Sequence, residues 1–559
     1  MCSDSPIGAH VVGSYKLYPE SEYVRKPYDP SILCEAIGSI DPNDYPYPKF
    51  SVKEVDVKRE YYYVMGPWFN IPELCFPGAS AEDYRMGVSR MLALRKPELL
   101  GFSDRLRSNQ SRIAIRYRGY IHRFQKFLHH HLIVKDHEEA YFSWLYQPHA
   151  KRKLRMQVHN SDLSYLDLFS DPEKPVEYKL KPGELLTQGK KRGIGDLSAK
   201  RTQISAWCIA QLKEAWAVPY IIGRSEARFI PSPDKNVLKD TFDWLMTPSL
   251  GDFRFVYFSD DCSFSVGAID GVFMANGDIS QCDGSHYDPI FDTLFEILVN
   301  SGTPVYHDAL KYAFDALGLP LTMRNKHNYA EKVQYFFNSK RLYSGSVLTT
   351  IINNYANLLI FFAFCKRCKD FSLCTRSQLS ETYRLAAQDV GYIVKCKVCD
   401  IPEDLQFLKH SPVLAHDGDY YPVMNLGTFF RGFGAVYGDL SHVYGNSKVP
   451  LEVRTKRYLS DVVVSRRNWG DHSINDAFLN KYATNSTIFD PTLRGVAESK
   501  STGGAGKRVD ILSLSLRYRM FSGDVVQALE ELIHHIKTSD IGVAITLPFL
   551  SHLYAIDYG

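Results

Sequence analysis

The sequence predicts an α+β fold, and three stretches carry that prediction. The first is Phe255-Val256-Tyr257-Phe258, a short aromatic and β-branched run that reads as a buried strand and leads into Asp260 and Asp261. The second is its continuation. A further strand arm spans Cys262 to Val266, and Asp278 and Asp283 lie about one strand later, beyond Ala275-Asn276-Gly277, which reads as a turn. The third is Tyr343 to Asn357, YSGSVLTTIINNYAN, where Gly345 permits an unusual backbone at a helix entry. From Thr349 onward Thr and Asn recur four apart on one helical face, and Leu358 to Phe362 continue the helix as pure apolar surface. Such a helix is polar at one end and buried at the other.

Composition sets the class. The chain has 559 residues, 45% of them hydrophobic and 13% aromatic, which implies a globular protein of about three or four subdomains. A formal net charge of +3 excludes a bulk polycation, so any nucleic-acid contact must come from local basic patches. The opening MCSDSPIGAH lacks the architecture of a secretory signal, and no apolar run reaches the roughly 18 residues of a membrane span. Eleven cysteines then suggest reduced thiols in a cytosol-like compartment.

Taken in order, residues 1 to about 90 are rich in Pro, Tyr and Ser and read as extended chain. Ala81 to Leu145 reads as helical, with Arg112, Arg116, Arg118, His122, Arg123 and Lys126 interleaved among aromatics. His129-His130-His131 cannot share one helix face and reads as a helix end or loop rather than a metal site. A basic run, His149 to Arg155, precedes KLKPGELLTQGKKRGIGDLSAKR. A helix is expected over Ile204 to Trp216 and another over Ser377 to Val390, the latter followed by the alternating run Tyr392 to Cys396. Gly523 to Lys537 carries a 3.6-residue apolar stripe that reads as core. Ser501 to Arg508 fails as a phosphate-binding loop, because Ser501 replaces its first glycine and Arg508 its metal-binding hydroxyl.

The chemistry lies with the acids. A carboxylate is costly to bury unless something pairs it, and acids on adjacent strand tips invite a divalent metal. Hard oxygen donors select Mg²⁺ or Mn²⁺, and two such ions serve in-line displacement at phosphorus. Cys365-x-x-Cys368 and Cys396-x-x-Cys399 also fit a zinc spacing loosely, with 27 residues between the pairs, against the alternative of four ordinary thiols.

Asp278-x-x-x-x-Asp283 followed by Ser344-Gly345-x-x-x-Thr349-x-x-x-Asn353 resembles motifs A and B of viral RNA-dependent RNA polymerases. Ser259-Asp260-Asp261 resembles a variant of their Gly-Asp-Asp motif C. Motif C here precedes A, an order similar to the permuted polymerases of birnaviruses and permuted tetraviruses. Lys181, Glu184, Lys190, Lys191, Arg192 and Ile194 resemble motif F; the region to Cys396 resembles motif D, and Asp404 to Pro412 motif E. The resemblance implies a right-hand polymerase whose palm is a small antiparallel sheet backed by helices. Its parts are fingers with an N-terminal extension over 1–250, palm over 251–300, a fingers insert over 301–342, palm again over 343–412, and thumb and tail over 413–559.

It further implies that Asp260, Asp261 and Asp278 are catalytic and hold two Mg²⁺ or Mn²⁺ ions. Asp283, Ser344, Gly345, Thr349 and Asn353 would face the incoming nucleotide's sugar, with Lys181, Lys190 and Arg192 on its triphosphate. Lys395 and Lys397 become candidate proton donors to pyrophosphate. The implied partners are template and product RNA, nucleoside triphosphates and other viral replication or capsid proteins, in the host cytoplasm. Three alternatives stand beside this reading: a reverse transcriptase, disfavoured by the polar pair Asp283 and Asn353; a non-catalytic RNA-binding protein with a polymerase-like fold; and a polymerase of usual motif order, whose degenerate motif C would lie near Asp389.

Overall fold

The computed structural model describes residues 100–133, 136–147, 152–161, 175–181, 192–231, 233–302, 306–324, 339–431, 471–482, 507–538 and 547–558, with strand segments at 15–18, 49–51, 62–65, 74–75, 184–185, 332–335 and 435–436. Lys190, Lys191 and Ser501 to Gly506 lie outside the described residues.

The chain is α+β, organised on a six-stranded sheet. In chain order its strands are β1 (Tyr220–Ile222), β2 (Ser225–Phe229), β3 (Phe253–Phe258), β4 (Asp261–Ala268), β5 (Gly271–Ile279) and β6 (Val394–Val398). Their spatial order is β6-β5-β4-β3-β2-β1. The helices that matter are α1 (Arg118–His131), α2 (Lys235–Met246), α3 (Asp288–Gly302), α4 (Thr349–Arg367) and α5 (Arg376–Asp389).

The expectation of an antiparallel sheet needs correction at one pair. β2 and β3 run parallel, because α2 carries the chain back between them as a crossover, while the other pairs in the sheet are antiparallel. A second correction concerns Ala275-Asn276-Gly277, which lies inside β5 rather than in a turn. The reversal falls at Ile269-Asp270, and Gly271 takes φ +130°. Gly277 serves close packing instead: a Cβ there would lie 2.4 Å from the Tyr383 hydroxyl and 2.6 Å from Cys262 Sγ. A glycine in a polar strand looks like a turn from sequence alone, and only the neighbour across the sheet tells the two uses apart.

Helix α4 is the spine of the main core. All residues from Ile351 to Phe364 are buried, and Phe361 and Phe364 meet Phe253 at the start of β3. Its fourteen-residue buried run includes Asn353, Asn354 and Asn357, three amides where Leu would pack more favourably. The opposite sheet face is covered by α2 and by Leu405 and Phe407. Asn276 Nδ2 donates to the Asp404 carbonyl at 2.8 Å and its Oδ1 accepts from the Gln406 N–H at 2.8 Å, docking that loop on the sheet. The hairpin expected over Asp404 to Pro412 forms later, as β7 (His410–Leu414) with β8 (Tyr420–Met424). No described helix is long and apolar enough to cross a membrane.

Three buried histidines make the fold acid-sensitive. Burial pushes the imidazoles of His286, His410 and His472 down to about 4. Since an unfolded histidine titrates near 6.5, the unfolded chain binds protons that the native one refuses between those two values. Stability is therefore intact above about pH 6.5 and falls as pH drops, by up to roughly 1.4 kcal/mol per pH unit for each histidine. Urea midpoints measured from pH 7 to 5 should decline steadily, the Asp261 carboxyl, pushed up to about 7, offsetting one histidine's share; a flat profile would show that these rings are not buried neutral.

Candidate active site

The acidic turn is built by a tight hairpin. β3 and β4 pair with Phe258 opposite Asp261, leaving Ser259 and Asp260 as the two-residue connection. Ser259 has φ +55°, the left-handed region that glycine enters freely and serine does not. Helix α4 holds it there. Asn354 Oδ1 accepts the Ser259 N–H at 2.7 Å, Asn357 Nδ2 donates to its carbonyl at 2.6 Å, and Asn353 Nδ2 donates to its Oγ at 3.1 Å. Among the described residues, Asn354 Nδ2 and Asn357 Oδ1 have no partner, an expense of about 1–3 kcal/mol each that a purely structural helix would avoid.

Register gathers the carboxylates. Asp261 lies directly opposite Asp278, and Asp278 directly opposite Lys395 across the next strand pair. Directly opposed residues have Cβ atoms about 5 Å apart, and like charges so placed repel. The electrostatics register this: burial first, then the charges of Asp260 and Asp278, push the Asp261 carboxyl up to about 7, against a smaller lowering by Lys409. A hard divalent cation fits the donor set, since it would supply positive charge to oxygen ligands. Among the described residues, no three His, Cys, Asp or Glu side chains form a ready-made metal group; the carboxylates are neighbours without being drawn together as a chelate. Among the described residues, Cys365, Cys368, Cys396 and Cys399 form no such group either.

Asn353 is the hub of the remaining contacts. Its Nδ2 also donates to Asp283 Oδ1 at 2.8 Å, while its Oδ1 accepts from His286 Nε2 at 2.8 Å and Cys282 Sγ at 3.2 Å. Because an amide oxygen only accepts, His286 carries its proton on Nε2, and its Nδ1 accepts from the Tyr392 hydroxyl at 2.7 Å. One side chain thus ties the turn bearing Asp260 to the segment bearing Asp283, with a neutral imidazole fixing its orientation. Gln110 clasps the same region from below. Its Nε2 donates to the carbonyls of Ser285 and Gly391, and its Oε1 accepts the Tyr287 N–H.

The remaining predicted residues separate. Gly345 has φ +98°, and a Cβ there would lie 2.3 Å from the Gly195 carbonyl oxygen. Ser344 is exposed, and its carbonyl accepts the Gly195 N–H at 2.7 Å, so this loop abuts the hairpin of Val176–Leu180 and Gly193–Asp196. That hairpin brings Lys181 and Arg192 together, with the Lys181 N–H donating to the Arg192 carbonyl at 2.7 Å and both residues exposed. Thr349 is used locally, since its hydroxyl donates to the Tyr343 carbonyl at 3.2 Å. Sequence reasoning missed His286, Cys282, Tyr392, Gln110 and Lys409. It also passed over Asn354 and Asn357, although three amides in one apolar helix were a visible signal.

The asparagine clamp has a testable consequence. Asn357→Ala releases one side of the strained turn, and should lower any activity of the site about tenfold or more, as small misplacements of catalytic groups do. Ser259→Gly should stay within a few-fold of the parent, because glycine adopts φ +55° without strain. Equal loss in both variants, at unchanged melting temperature, would show that the serine side chain and not the turn geometry matters.

No protein-family model matches the chain, and no curated protein matches it.

Proposed function

We propose that this chain is a template-directed RNA polymerase of the viral type with motif C ahead of motif A, extending a primer on an RNA template with ribonucleoside triphosphates. The observation that carries this reading is the pairing of Asp261 with Asp278 beside a turn held by the same asparagine that bonds Asp283. The proposed right-hand architecture takes the six-stranded sheet as palm.

Asp260, Asp261 and Asp278 would hold two Mg²⁺ or Mn²⁺ ions, which when bound lower the pKa of an attacking hydroxyl and neutralise departing phosphates. The chain's own residues do the rest. Lys181 and Arg192 present cations for the triphosphate oxygens, the arginine with a planar fork that suits them. Asp283 and Asn353 form the polar wall against which a ribose 2′-hydroxyl finds hydrogen-bonding partners. The primer 3′-hydroxyl attacks the α-phosphate, and pyrophosphate leaves. Of the candidates Lys395 and Lys397, this reading takes Lys395, which lies opposite Asp278, as the proton donor to pyrophosphate.

Purified protein, a short primed RNA and the four ribonucleotides with Mg²⁺ or Mn²⁺ test the proposal. Template-complementary extension that chelation abolishes is the expected result. No extension with either ion would overturn it.

A further inference from the structure

From residue 105 to residue 135 the chain contains eight Lys or Arg and four His, and no Asp or Glu, although the whole protein carries only +3. Helix α1 sorts this charge onto one side. Arg118, His122, Arg123, Lys126 and His130 are exposed, and all lie within one half of the helical circumference. Gly119 is the neutral residue among them. The other half is spent on the core, with Phe124 and Leu128 buried and Tyr120 stacked on Phe362 at 5.4 Å. Among the described residues no ion pair joins Arg112, Arg116, Arg118, Arg123 or Lys126 to a carboxylate. Lys366 extends the patch, its Nζ donating to the Arg116 carbonyl at 3.1 Å.

This face is not part of the acidic site. Phe362 lies nine residues beyond Asn353 on α4, a distance of about 13 Å along the helix axis. Arg118, His122 and Lys126 repeat every four residues, about 6 Å apart along a rigid rod. Arg118, Arg123 and Lys126 set three cations along one face of that rod, which suits a linear polyanion. Lipid is a poorer match, because a membrane-surface helix needs a free apolar face and this one has none left. The exposed half offers no Phe, Tyr or Trp on which a base could stack, so contact through the phosphate backbone is expected.

We infer that the exposed face of α1 is an RNA-binding surface separate from the catalytic turn, holding the phosphate backbone of a single strand without regard to sequence. The inference stands on charge and packing, and does not depend on the catalytic proposal.

Gly119 supplies a clean test, since a Cβ there meets nothing within 4 Å. Gly119→Glu sets an acid amid the cations without a clash, and Gly119→Ala is the neutral control, with a melting temperature equal to or above the parent's. The probe is a labelled oligouridylate read by fluorescence anisotropy over a salt series, using full-length protein. Gly119→Glu should weaken binding about tenfold, the alanine variant should not, and Arg118→Gln/Arg123→Gln/Lys126→Gln should lower the salt slope by about 2. The series is run without Mg²⁺, Mn²⁺ or nucleotide, so a failed catalytic reading leaves this result untouched. Unchanged affinity and slope in the triple variant would overturn the inference. So would loss of polyglutamate or anionic-vesicle binding in that variant with oligouridylate binding intact.

Discussion

Asp278→Ala should eliminate templated incorporation, by a factor on the order of 10³ or more, while leaving the protein at least as stable as the parent. The two halves of that result have one cause. Asp278 faces Asp261 across a strand pair, and Asp261 is already driven toward its neutral form by burial and by its neighbours. Removing one carboxylate relieves repulsion in the fold and deletes a metal ligand from the site. A merely structural acid would show the reverse, lost stability with proportionate loss of activity. Asp260→Asn should behave the same way. Asp389→Asn is the control for motif order. Asp389 ends α5 and pairs with Arg367, a half-exposed ion pair worth about 1 kcal/mol or less, with no strand before it to present a catalytic acid. Parallel incorporation assays with thermal melts decide the matter. An active Asp260→Asn protein beside a dead Asp389→Asn one would return the chain to the usual order.

Asn353→Ala should lower the preference for ribonucleotides over deoxyribonucleotides by about 10–100-fold in the ratio of kcat/KM values. The amide uses both ends, donating to Asp283 and Ser259 and accepting from His286 and Cys282. Its loss frees the Asp283 carboxylate from the position in which a 2′-hydroxyl would meet it. A site that hydrogen-bonds a hydroxyl discriminates by leaving groups unpaired when the hydroxyl is absent, and that penalty disappears with the geometry. Steady-state kinetics with matched ribo- and deoxyribonucleotides separate the roles. If both rates fall equally, Asn353 serves only to hold the turn at Ser259.

The parts legible in the sequence are those written in local patterns. β3, the arm after it, α4 from Thr349 and the α5 helix appear where aromatic, β-branched or 3.6-residue spacing placed them. Asp260, Asp261 and Asp278 were legible because acids beside strands violate the usual pattern. What escaped was contact across the chain. His286 meets Tyr392 over 106 residues, and Gln110 meets Gly391 over 281. No spacing rule encodes such pairs, and a buried neutral histidine looks like any other in a sequence. Gly277 was misjudged for the same reason, because the side chains it makes room for, Cys262 and Tyr383, lie on other elements.

The meander β3-β4-β5 has one more consequence, for how the molecule comes into being. Its acids lie within residues 253–279, so hairpin closure alone, on the microsecond scale, brings them side by side. The amides that steady the turn arrive only with α4, which begins at Thr349. On a ribosome adding about 5–20 residues each second, the acidic arms therefore wait roughly ten seconds for their clamp. During that interval Ser259 has none of its three α4 amides to hold φ +55°, and the nascent turn is free to breathe until the helix closes over it.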